Sequence, residues 1–583
     1  MTEGASGGRP PGIWAASVMR RCAVGWLLAL GLLAVPSLEA QETAGFPDFP
    51  GSRPLSLPAG TSPSPTPGAA EVELPVPLSG PAQALPGALR VRVDQIVVLG
   101  NTVFSSERLG AVGASFVGRE LEGEALQTLQ GKLTELYVSA GFVNSRAVLP
   151  DQDFEGGVLR VQIVEGRLAD VVIQGTGGYS PAYLREQLMG PPGRPLNAFA
   201  LESRIRRLQA DPGIRSLKAV LRPGFSREEA ILFVDVSESN RLSASVEAGD
   251  ILNPTIGEMA GYLTVGFLNP IAGRGDRFGA LFGLSEGLTD LQLEYALPVG
   301  RYGTALRADF RYSQASIVDE GLKALDFRSR YMAAGLTVSQ PLWKADGVEV
   351  ETGLRTEWRQ SRSTAGGFPW AFSDAADADG NVRDFVFRFY QALVVQDDDQ
   401  AFAFRSTWNF GTDALGATSG PIDRADFVSW LGQGQWLGRL EGSGINFLVR
   451  GNVQVALDPL VPFERFSVGG SSSVRGYRQN QEVRDSGYSL RVDARFPLIR
   501  EPSGRTVLRV GPFVDSGRSW TTDRGENSSH VQLASVGVEA VWSPSPRLRF
   551  EFIYGYRLLA VAQFGETALQ DHGIEFRIVA ATF

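Results

Sequence analysis

Side chains able to do covalent or metal chemistry are scarce in this 583-residue sequence. With 1 Cys and 2 His, neither a Cys/His metal cluster nor a disulfide framework has material to be built from. His530 and His572 have no partner at ligand spacing and read as ordinary strand or loop residues. No GxxxxGK[ST] phosphate loop occurs, so nucleotide energy is not available from this chain. Carboxylate groupings such as Glu349 with Glu351, or Asp397-Asp398-Asp399, are what charged strand faces and solvated loops carry in any case. The chain therefore reads as neither an enzyme nor a cofactor or metal protein. One motif stands out instead: Gly469-Gly470-Ser471-Ser472-Ser473-Val474-Arg475-Gly476-Tyr477. Its Gly/Ser lead permits a long hairpin loop, and Gly476 allows close backbone approach beside a large aromatic. Downstream lies Phe513-Val514-Asp515-Ser516-Gly517, on a strand whose charged parity includes Arg509 and Asp515.

Such motifs need a frame, and from about Asn240 the texture supplies one. Leu306, Ala308, Phe310 and Tyr312 share one parity while Arg307, Asp309 and Arg311 share the other. The same holds for Val348, Val350, Leu354 and Trp358 against Glu349, Glu351, Arg355, Glu357 and Arg359. Strands around Leu490–Phe496 and Leu548–Tyr556 repeat it. A soluble sandwich also alternates, so one strand decides nothing. Repetition through the whole C-terminal half, with Trp343, Trp358, Trp430, Trp436, Trp520 and Trp542 near strand ends, favours a transmembrane β-barrel with aromatic girdles and a wet lumen. Residues 240–583 provide 344 positions, and a tilted spanning strand takes about 9–11 residues. Alternation alone is compatible with 14, 16 or 18 strands. The sequence ends on Phe583, as barrel strands read by assembly machinery commonly do, yet Ile574, Phe576 and Ile578 have the opposite parity from Val579, Ala581 and Phe583. Either a bulge shifts the register near Val579 or the last residue does not face lipid.

The N-terminal part reads differently. Arg20 and Arg21, the short apolar run from Ala23 to Val35 and the small residue Ala40 make residues 1–40 a secretory signal peptide, with Met19 as the expected translation start. The single cysteine, Cys22, lies inside it. Residues 41–90 are rich in Pro, Gly, Ser and Ala and read as an extended linker. No later segment has the 18 or more apolar residues of a spanning helix, and a mean hydropathy of -0.04 suits half-apolar strands. A net charge of -9 is a poor footprint for nucleic acid, which is excluded as a partner.

Between linker and barrel the order strand, helix, helix, strand, strand runs twice. The first unit, 91–166, has a strand over 91–104, helices over 105–117 and 124–140, and strands over 142–149 and 157–164. The second, 167–239, has a strand over 169–174, helices over 181–189 and 198–210, and strands over 216–223 and 229–236. Val98-Leu99-Gly100-Asn101-Thr102-Val103-Phe104, the run Tyr137 to Phe142, and Leu159-Arg160-Val161-Gln162-Ile163-Val164-Glu165-Gly166 resemble the marks of a POTRA (polypeptide-transport-associated) domain. The VRGY and FxDxG motifs resemble those of the outer-membrane insertion and secretion superfamily. Over residues 91–583 the chain resembles a two-partner secretion transporter of the TpsB family.

That resemblance implies a barrel of about 16 antiparallel strands preceded by two α+β POTRA domains of βααββ order, the barrel lying in the bacterial outer membrane and the POTRA domains in the periplasm. It implies a long loop, around residues 465–485, folded into the lumen. There Val474, Arg475, Gly476 and Tyr477 form the tip, Arg475 pairs with Asp515 on the inner wall, Asp493 is a second partner, and Phe513 and Gly517 flank the site. An Arg holds a carboxylate through two parallel hydrogen bonds, which fixes orientation as a point charge does not. The implied partners are a secreted exoprotein of adhesin or cytolysin type with an N-terminal secretion domain, outer-membrane lipid, and the barrel assembly machinery during biogenesis. No POTRA residue is singled out for client binding, and the transporter is expected to act as a monomer. Some relatives plug the pore with an N-terminal helix, for which residues 41–90 are too proline-rich. An assembly insertase of the same superfamily would carry a longer string of modules, and a passive porin none.

Overall fold

The computed structural model describes residues 90–583, apart from positions 154, 210, 227, 301, 346, 523–528, 562–567 and 582–583, together with Val72 and Glu73. The leader expected over 1–40, nearly all of the segment 41–90 and Phe583 lie outside the described residues. Val72–Glu73 forms a short strand, β1.

In the first unit, the extended run expected over 91–104 is broken twice. β2 (Arg90–Val93) and β3 (Gln95–Leu99) are separated at Asp94, and Gly100 turns the chain with φ 78°. Helix α1 (Ser106–Gly113) starts at Ser105, whose hydroxyl accepts from the Arg108 N–H. A short strand, β4 (Arg119–Glu122), pairs with β2. Helix α2 (Gly123–Ser139) buries Leu126, Leu129, Leu133 and Tyr137, a spacing of three and four that puts all of them on one face. Gly141, at φ 92°, adopts the left-handed conformation that stops it. β5 (Arg146–Val148) and β6 (Val158–Val164) complete a sheet of order β3-β6-β5, with β3 parallel to β6. The three sequence motifs of this unit meet at one carboxylate. Glu165 accepts hydrogen bonds from the Thr102 N–H (2.7 Å), the Val103 N–H (3.0 Å), the Thr102 hydroxyl and the Tyr137 hydroxyl (2.9 Å).

The second unit has the expected βααββ order without the β2–β4 ribbon that interrupts it in the first: β7 (Arg167–Gln174), α3 (Pro181–Met189), α4 (Ala198–Gln209), β8 (Ile214–Pro223) and β9 (Glu229–Glu238). Its sheet runs β1-β8-β9-β7. It also repeats the carboxylate device: Glu238, just past the last core residue of β9, accepts from the N–H groups of Gly177, Gly178 and Tyr179 at 2.8–3.0 Å. Each unit has its own apolar core.

The remaining strands form a closed antiparallel barrel. In order they are β10 (Leu242–Asp250), β11 (Met259–Leu268), β12 (Arg277–Ser285), β13 (Leu288–Val299), β14 (Thr304–Ser316), β15 (Phe327–Ala345) and β16 (Val348–Ala365). The two-residue β17 (Phe368–Pro369) extends one hairpin, followed by β18 (Asn381–Gln396), β19 (Gln400–Thr412), β20 (Val428–Arg439) and β21 (Asn446–Ala456). β22 (Phe466–Val468) and β23 (Glu482–Arg484) pair only with each other. β24 (Ser486–Arg500), β25 (Thr506–Trp520), β26 (His530–Ser545), β27 (Leu548–Arg557) and β28 (Ile574–Ala581) finish the wall. β10 closes on β28 from Ser245↔Ala581 to Gly249↔Arg577, giving 16 long strands. β28 pairs with β27 without a register shift, so no bulge at Val579 sets its parity.

The two ends of the barrel differ. Short connections such as 397–399 and 546–547 close one end, where the second unit docks: the Ser180 N–H donates to Gly273 O (2.8 Å) and Gln187 to Gly300 O (3.2 Å). Long connections such as 366–380, 413–427 and 457–485 crown the other. Leu306, Leu336, Leu354, Phe389 and Val514 are exposed on the outward parity, whereas Asp290, Asp384, Asp493 and Asp515 are buried on the inward one. That inversion of a soluble core puts the apolar parity in lipid. Leu354→Arg in the apolar band is expected to lower stability in phospholipid vesicles by about 2–4 kcal/mol, measured by equilibrium denaturation. In the first unit, burial pushes the Glu165 carboxyl up, but hydrogen bonds from Thr102, Val103 and Tyr137 outweigh it and hold the group below its ordinary value. Folding therefore weakens its proton affinity, so its stabilisation is complete above about pH 4.3 and is lost as pH falls through the folded value. Hydrogen exchange of residues 95–164 should accelerate on acidification in that window, and Glu165→Gln should remove the acid-sensitive component.

Candidate functional site: a loop anchored inside the barrel

The connection 457–485 between β21 and β24 turns into the lumen. β22 and β23 carry it inward as an antiparallel ribbon, from Phe466↔Arg484 to Val468↔Glu482. Phe466, Val468, Val474 and Tyr477 are all fully buried. Gly469 and Gly470, at φ 120° and 89°, make a turn that L side chains resist.

At the tip, Arg475 has no solvent exposure. Its Nε and Nη2 donate to the two oxygens of Asp515, both at 2.7 Å, and its backbone N–H adds a third bond to the same carboxylate at 3.0 Å. Nη1 donates to Asp493 (2.6 Å) on β24 and Glu539 (2.8 Å) on β26. Glu539 is a partner that sequence reasoning missed, because a lone glutamate on a charged strand face has no local mark. Arg495 also donates to Glu539 at 3.2 Å, which shares out the negative charge.

The inward residues of β25 serve the loop in turn. The Phe513 ring lies 3.6 Å from the Arg475 guanidinium carbon, a cation–π contact. Asp515 forms the bidentate pair. Gly517 leaves clearance: a Cβ there would come within 2.6 Å of Val468 and 3.0 Å of Val474. Residues i, i+2 and i+4 point to one side of a strand, which is why stacking, pairing and clearance come from one motif. Gly476 meets the wall backbone to backbone, since a Cβ on it would lie 2.6 Å from Gly555 O on β27. The Tyr477 hydroxyl lies 2.9 Å from the Ala534 carbonyl and 2.8 Å from that of Leu559. Val474, Arg475, Gly476 and Tyr477 thus converge with Phe513, Asp515, Gly517 and Asp493.

Two further anchors lie outside the tip motif. Glu464, with no exposure, accepts from both Nη atoms of Arg388 on β18 (3.0 and 2.6 Å) and is ion-paired with Arg359 on β16. Arg359 also donates to Asp384 (3.0 Å) and to the Phe463 carbonyl (3.1 Å). Through Glu357 and Arg355 this network reaches Asp309 on β14. Beyond the tip, Arg478 holds Asp571 through Nε (2.6 Å) and Nη2 (2.7 Å). The loop is therefore tied to the β16–β18 wall at its entry, to the β24–β26 wall at its tip, and to the segment before β28. Among the described residues no group of acidic, His or Cys side chains could hold a metal ion.

The chain is similar to known proteins. Residues 91–166 match the family model described as POTRA domain, ShlB-type, and residues 229–540 match that of the haemolysin secretion/activation protein ShlB/FhaC/HecB. The outer membrane transporter CdiB of Escherichia coli is 25% identical over 474 residues, 76% of each chain. The solved structure of CdiB from Escherichia coli covers 87% of this chain and 94% of its own at 20% identity, with a TM-score of 0.61. That of CdiB from Acinetobacter baumannii covers 85% and 91% at 16% identity, with a TM-score of 0.57.

Removing one side of a buried, hydrogen-bonded ion pair costs about 3–5 kcal/mol. Water entering the lumen lowers that cost, so about 3 kcal/mol is expected for Arg475→Ala, on the order of a hundredfold in the ratio of anchored to released loop. Single-channel occupancy of the large-conductance state in planar bilayers should rise accordingly. Glu464→Gln should raise it less, and the double variant should exceed either.

Proposed function

The chain belongs to the haemolysin secretion/activation family, outer-membrane transporters of two-partner secretion, and from that membership we propose how its parts divide the work. The barrel lies in the outer membrane with its short-turn end and N-terminal units in the periplasm. Such transporters work with a secreted exoprotein partner. For this chain the client is a large exoprotein of adhesin or cytolysin type, carrying an N-terminal secretion domain and entering unfolded.

The observation that carries the proposal is the lumen loop, fixed by Arg475 to Asp515, Asp493 and Glu539. At rest it occupies the route an extended chain would take. Its anchors at Glu464, Arg475 and Arg478 are ionic, and a hydrated lumen can exchange them for water as the loop leaves. A barrel of 16 strands then leaves an aqueous channel. Drive comes from folding of the client at the cell surface, since the chain carries no nucleotide loop.

The second unit acts as a second POTRA domain. Its βααββ order and the Glu238 cradle, which repeats that of Glu165, support this reading. Both units receive the client by adding an extended segment to a sheet edge, a mode in which backbone hydrogen bonds supply affinity and side-chain pockets selectivity. The transporter acts as a monomer, without catalysis and without nucleic acid, and depends on the barrel assembly machinery only for its own insertion.

Co-expression with the client tests the proposal. Asp515→Ala and Arg475→Ala should each raise leakage of a small solute through the resting pore by at least about tenfold at unchanged barrel levels, without loss of client export. Deletion of residues 91–166 should abolish export while conductance in planar bilayers persists. Unaltered leakage through both point variants would overturn the role given to the loop.

A further inference from the structure

On the outward face of β14–β18 the apolar band stops at a definite row. Trp358 pairs laterally with Ala334 and Phe385. Four residues further towards the long loops, Arg330 on β15 stands directly opposite Arg362 on β16. Residues facing each other across an antiparallel pair have Cβ atoms about 4.5–5.5 Å apart, and like charges so placed repel. Both side chains are exposed, and neither has an ion-pair or hydrogen-bond partner among the described residues. The inward arginines of the same strands differ sharply: Arg311 pairs with Asp290, Arg355 with Asp309, and Arg359 with Asp384. Two more cations flank the outward pair, Arg328 beside Asp326 (2.9 Å) and Arg383 beside Asp377 (3.1 Å).

A repelling arginine pair just beyond an aromatic row lies at the depth of lipid headgroups, where an external anion would relieve it. Guanidinium forks match phosphate oxygens two at a time. We propose that Arg330 and Arg362 form a site for the phosphate groups of a phosphorylated glycolipid in the outer leaflet, with Arg328 and Arg383 at its margins. The site needs only the barrel's position in the outer membrane and is independent of how the loop moves. Its consequence is a lipid fixed against the hairpins that carry Arg359 and Arg388, the wall to which Glu464 is tied.

The full chain in detergent, probed by native mass spectrometry with purified bisphosphorylated lipid A and with its dephosphorylated form, tests this. The wild-type chain should retain the phosphorylated lipid, and Arg330→Gln with Arg362→Gln should weaken retention about thirtyfold. Lys344→Gln, near the short-turn end of β15, should leave it unchanged. Heat-modifiable gel mobility checks that the variant barrel remains closed. Equal retention of the two lipids, or unaltered retention by the double variant, would overturn the proposal. Displacement by millimolar inorganic phosphate alone would do so too, by making the site one for free anions.

Discussion

A guanidinium with no access to solvent has to be neutralised where it lies, and the inner wall of this barrel is organised around that requirement. Arg475 cannot occupy its position unless Asp515 presents both oxygens to it and Asp493 and Glu539 take the remaining donors. These carboxylates come from β25, β24 and β26, so the pair fixes three neighbouring strands as well as the loop. Glycine does as much as charge. With any side chain at Gly476, Gly517 or Gly555, loop and wall would be forced apart and the donors would miss their acceptors.

The loop is best understood as a strut with ends on different walls. Glu464 binds it to Arg388 and Arg359, while the tip engages strands on the other side of the β21–β24 connection. An apolar plug of similar size would be sealed by dispersion and water exclusion, with no simple way to leave. Ionic anchors lose most of their advantage once water reaches them, because the attraction that compensates desolvation is replaced by hydration. The same side chains thus close a resting pore and permit it to open.

Much of this was legible in the sequence, for reasons that are physical. Lipid outside and water inside impose a period of two, so Leu306-Arg307-Ala308-Asp309-Phe310 declares its faces without any structure. The VRGY and FxDxG motifs stand out because glycine, aromatic and charge coincide within a few residues. Glu464, Glu539 and Asp571 do not stand out: each is one carboxylate among 64, and each meets its arginine only through topology. Strand number was hidden because β15 and β16 run for 19 and 18 residues, so alternation continues beyond the apolar band into projecting hairpins. The first unit's opening strand was over-extended for a local reason, since the Asp94 N–H turns aside to Gly157 O and Gly100 bends the chain.

The central claim is that the loop must leave the wall for the client to pass. Cys22 is the chain's single cysteine, so an Arg478→Cys and Asp571→Cys pair can be joined by a short reducible bis-thiosulfonate linker without competing thiols in the barrel. The linker takes the place of the two side chains that hold loop to wall at 2.6 and 2.7 Å and leaves Arg475 and its partners in place. Export by the cross-linked and reduced forms of this variant is the most direct measurement. The account predicts a block on cross-linking that reduction relieves; equal export by both forms, with the cross-link shown to be complete, would contradict it.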